Sequence, residues 1–161
     1  MNAELAAYDE SIRRRLEAAV ACLDGLTETQ INWRPTLDEG NSLYERARLG
    51  PSGRTRVPGC WASPAARTYG ATAQREFAAS GANANRLRDE LASLTARIAE
   101  ALGAMAPEQL DRRFVPPQEL WGGGNFAHEI TPRYALLHVI EHASLHIGHL
   151  DLTRDLALQH A

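Results

Sequence analysis

Two long stretches of this chain repeat apolar residues at intervals of three and four, and that spacing constrains the fold more than any other feature. Leu5, Tyr8, Ile12, Leu16, Ala19, Val20 and Leu23 form the first stripe, with Glu10, Arg13, Arg14 and Glu17 largely off it. Leu87, Leu91, Leu94, Ile98, Leu102 and Met105 form the second, which predicts a helix over 85–105 ended by Gly103 and Pro107. A third helix opens at Thr131-Pro132, a hydroxyl cap followed by proline in the first turn, and is expected to run to about Ala157. Alanine and leucine dominate, while β-branched and aromatic residues are scarce, which favours helix over sheet. The 161 residues fit one domain, 1–161, with no repeat and no boundary. The natural packing is all-α: an up-down-up-down four-helix bundle.

The connections are less regular. Gly25 is a plausible stop for the first helix. Thr27-Glu28-Thr29-Gln30 has the form of a capping box, and Asn32-Trp33-Arg34-Pro35 ends the turn it opens, because a residue before proline is pushed out of the helical region. Asn41 or Ser42 caps a further helix start, but the period is then lost. From Glu45 to Thr72 the chain is rich in Arg, Gly, Pro, Ser and Ala, and loops of that length are uncommon inside a compact domain. The second helix is therefore expected to be poorly formed or replaced by a long loop. Residues 106–130, with Pro116-Pro117 and Gly122-Gly123-Gly124, form an irregular connection with a short turn at Glu108-Gln109-Leu110.

A net charge of −3 leaves no electrostatic footprint for nucleic acid or an anionic membrane. Cys22 and Cys60 cannot build a disulfide framework. No apolar run approaches a membrane span, and the charged, amphipathic start has no signal core. These features predict a soluble cytoplasmic protein.

All six histidines lie at or beyond residue 128, and four of them, His138, His142, His146 and His149, share the last helix. At about 100° per residue they fall within roughly 80° of arc, in one row. Two imidazoles at i and i+4 reach the same point beside a helix and suit zinc, nickel, copper or iron. A third ligand normally comes from another helix, with open positions left for water or substrate. A lone helical histidine is more often a partly buried polar residue than a ligand; four in a row tip the balance toward a metal or catalytic role. Spacing alone does not choose between His138/His142 and His142/His146.

Weaker candidates surround this row. His128-Glu129 reads as loop surface, Trp33 and Trp121 as packing residues, and Cys60 as an incidental thiol. Cys22 reads as a small core residue. The glycine triplet lacks the strand–loop–helix setting of a phosphate cradle. Glu141 and Asp151 are candidates to orient histidines, or face water.

The segment LLHVIEHASLHIGHLDLTRDL, residues 136–156, resembles the last helix of the DinB-like superfamily. That group includes mycothiol-dependent maleylpyruvate isomerase and thiol S-transferases of the bacillithiol type. The opening LDGLTETQINWRP, the GNSLY at 40–44 and the stretch 75–102 resemble it too, so the likeness covers 1–44 and 75–161. It implies a four-helix bundle holding a divalent metal (zinc, nickel or iron), a low-molecular-weight thiol as cosubstrate, a small electrophile as substrate, and a homodimer. It implies that His142 and His146 bind the metal, flanked by His138 and His149 as acid/base or ligand-orienting groups. The family's third ligand is a histidine of the second helix. Leu49 stands at that position, and no histidine occurs over 41–72. In-family flanks around an Arg/Gly/Pro-rich interior are what a reading-frame slip in a GC-rich gene would leave; the rival is a divergent insert that has lost a ligand. On the second view the chain is a non-catalytic or degenerate metal-binding, stress-related bundle.

Overall fold

The computed structural model describes residues 2–36, 40–49, 80–115 and 128–160. Within them the chain is helical: α1 (Ala3–Ala21), α2 (Glu28–Asn32), α3 (Leu43–Leu49), α4 (Asn85–Gly103), a 3-10 turn (Pro107–Asp111) and α5 (Pro132–His160). The ends follow the side chains. The Asn2 carboxamide oxygen accepts the Leu5 amide at 2.8 Å and opens α1. Gly25, at φ 75°, turns the chain away from α1 where a side chain would be strained. The Thr27 box closes reciprocally: its hydroxyl accepts the Gln30 amide at 3.3 Å, and Gln30 Oε1 accepts the Thr27 amide at 3.0 Å. Thr131 caps α5 through the Tyr134 amide at 3.2 Å, with Pro132 at the first helical position.

The all-α bundle is as expected, and its core joins the predicted stripes. Leu5, Ile12, Leu16, Val20 and Leu23 of the first stripe meet Leu87, Leu94, Ile98 and Leu102 of the second, with Leu136 and Leu150 of α5. α1 packs against both α4 and α5, while α3 packs against α2 and α5. Strict up-down-up-down alternation is not what α1 and α5 do. Arg133 pairs with Glu4, Arg15 Nε donates to Ser144 Oγ at 2.6 Å, and the Cys22 thiol donates to Asp151 at 3.3 Å. The partners climb both helices together, so α1 and α5 run parallel. α4 runs against them: Arg88 near its start pairs with Asp24, just past the end of α1.

The helix promised at Ser42 does form, for seven residues, Leu43–Leu49, instead of failing at once. Its opening is a second capping box. Ser42 Oγ accepts the Glu45 amide at 3.2 Å, and Glu45 Oε2 accepts the Ser42 amide at 2.8 Å. The Glu45 carboxylate is fully buried and its other oxygen holds Arg34. Thus the Trp-Arg-Pro turn ties α2 to α3, and Trp33 stacks on His160 at the end of α5, ring centres 5.9 Å apart. Asn32 clamps the chain entering α4: its carboxamide donates to Gly81 O at 2.9 Å and accepts Gly81 N at 3.1 Å. Gly81 lies against the buried Tyr44 ring, where a Cβ would overlap it. The expected loop continuing beyond α3, Cys60, Trp121 and the glycine triplet lie outside the described residues. The connection before α5 is pinned by an isolated bridge between Phe114 and Ile130, both hydrogen bonds 2.9 Å.

Candidate metal centre

The row of histidines is built by the rise of one helix. α5 climbs about 1.5 Å per residue, so residues four apart stand one turn above each other. His142 and His146 meet most closely, Nε2 to Nε2 at 2.8 Å, with ring centres 4.4 Å apart and edge to face. His138 lies one turn before, 5.8 Å from the His142 ring, and His149 lies 6.3 Å beyond the His146 ring. Of the two pairs that the spacing left open, His142 and His146 stand closer, with ring centres 4.4 Å apart against 5.8 Å for His138 and His142. His142 and His146 are half-buried and His149 is exposed.

These two donors fit a divalent ion. Metal–imidazole bonds of about 2.0–2.1 Å place two adjacent ligand nitrogens about 2.9–3.4 Å apart, close to the separation already present. Neutral imidazole is a borderline donor suited to the zinc–nickel–iron range. Two nitrogens from one helix leave most of a coordination sphere open. Among the described residues no group of three His, Cys, Asp or Glu side chains is poised to hold a metal. α3 reaches residue 49, where the resemblance places a histidine and this chain has leucine.

The neighbours sort differently from the sequence expectation. Glu141 Oε2 stands 3.9 Å from His138 Nδ1, beyond hydrogen-bond reach. Asp151 orients no histidine. It accepts from the Cys22 thiol, because the parallel register of α1 and α5 sets those two side by side. Burial, then this hydrogen bond and the Asp151 charge, push the thiol up to about 11 from 9.0, so Cys22 is an inert thiol at neutral pH. Arg154 holds the same corner by donating to the Cys22 and Asp24 carbonyls. His128 and Glu129 are exposed, as expected of loop surface, yet they line an open cavity of about 260 Å³ with Arg113, Ile130, Thr131 and Tyr134. The Tyr134 ring, which lines this cavity, lies parallel to the His138 ring at 6.3 Å, and His138 itself is not among the lining residues. Glu45 is the buried polar group the sequence reading missed; the S-x-x-E pattern at 42–45 was its signal.

The chain matches the family model of the mycothiol S-transferases over residues 7–158, from within α1 to within α5. It belongs to the mycothiol S-transferase family. No curated protein matches this mycothiol S-transferase family member. No described helix is long and apolar enough to cross a membrane.

Proposed function

We propose that this chain transfers a low-molecular-weight thiol, mycothiol, to a small electrophile, with a divalent metal held by His142 and His146. The 2.8 Å approach of their Nε2 atoms carries the reading, in a chain whose family is defined by thiol transfer. A metal bound there would lower the pKa of a coordinated thiol and make a nucleophile near neutral pH. The chain's own groups do the rest. The Nε2 atoms of His142 and His146 approach one point, 2.8 Å apart. His138 or His149, on the same row, takes the thiol proton and returns it to the leaving group. The thiol sulfur forms a bond to the electrophilic carbon as the carbon–leaving-group bond breaks, so atoms and charge balance.

A second reading has its own observation. Among the described residues no third ligand joins the pair. That favours a non-catalytic metal-binding bundle, weak in metal because a preorganised third donor is lost.

The test is metal content by elemental analysis together with mycothiol-dependent consumption of a chlorinated aromatic electrophile. The wild type is compared with a His142→Ala/His146→Ala variant. Near-stoichiometric metal and turnover, both lost in the variant, are expected. Metal without turnover selects the second reading. No metal after reconstitution with zinc or nickel removes both.

A further inference from the structure

No further inference is drawn: the strongest candidate, the open cavity at the start of α5 between the Phe114–Ile130 bridge and Tyr134, takes its charge only from the exposed Arg113, His128 and Glu129, with no buried polar side chain among its lining residues, and nothing in the structure shows what it would hold.

Discussion

Removing the Glu45 carboxylate should cost about 3 kcal/mol of stability. Glu45 is 0% exposed, with Oε2 on the Ser42 amide at 2.8 Å and Oε1 on Arg34. Glu45→Ala removes the reciprocal half of a capping box and leaves the Ser42 amide buried without its acceptor, about 1–2 kcal/mol together. The Arg34 bond adds about 1.5 kcal/mol, the low end for a charged donor, because the Arg34 side chain is 52% exposed and recovers water when released. Glu45→Gln keeps an acceptor at the same helix position and loses only the charge, so about half the effect should remain. Arg34→Ala should cost at least as much as Glu45→Gln, because it leaves a buried carboxylate without its counter-charge. The two single changes disrupt one unit, so Arg34→Ala/Glu45→Ala should fall near the worse single variant and well short of their sum. Urea unfolding measures this: at a slope of about 2 kcal/mol/M the Glu45→Ala midpoint should drop by about 1.5 M. A Glu45→Ala variant within about 0.5 kcal/mol of wild type, or additive single changes, would refute the argument that this pair locks α3 to the Trp-Arg-Pro turn.

Three further outcomes are expected. Gly81→Ala should destabilise by about 1–3 kcal/mol, because its Cβ would overlap the Tyr44 ring inside the Asn32 clamp; an unchanged melting temperature would contradict that packing. In a Cys60→Ser background, Cys22 at pH 8 should react with iodoacetamide about 100-fold more slowly in the folded chain than in urea, since its thiol is held up to about 11 against 9.0. The native state keeps that proton more tightly, so its stabilising share is complete below about pH 9 and is lost as the pH climbs toward about 11; equal alkylation rates would overturn both statements. Shifting the reading frame across the coding DNA for residues 45–74 should restore an amphipathic helix containing a histidine. If neither alternative frame does so, the stretch is a true divergent insert.

Local features were legible because their causes lie within a few residues. The Thr27 box, the Thr131-Pro132 start, and the α1 and α4 stripes depend on neighbours three or four positions away, and each stands where it was expected. The i, i+4 pair was legible for the same reason, although its choice over His138/His142 needed actual ring positions. The misses are long-range. Arg34 reaches Glu45 eleven residues on, and Asn32 finds Gly81 forty-nine residues on. Asp151 meets Cys22 only because α1 and α5 are parallel, a relation that depends on how the intervening chain returns across the bundle.

The last helix shows why apolar periodicity alone cannot assign its faces. Leucines occur nearly all round α5, a pattern that by itself suggests burial on every side. Leu136 and Leu150 are fully buried, while Leu137, Leu145 and Leu152 are more than half exposed. The difference lies in where α1 stands: Arg15 reaches Ser144 and Cys22 reaches Asp151, which directs the Leu136/Leu150 side of α5 inward. The opposite side then faces out along the whole helix, with the histidines on its flank. One helix thus carries a core face, a histidine row and a mixed outer face, on which the 84% exposed Glu141 side chain stands among Leu137, Leu145 and Leu152.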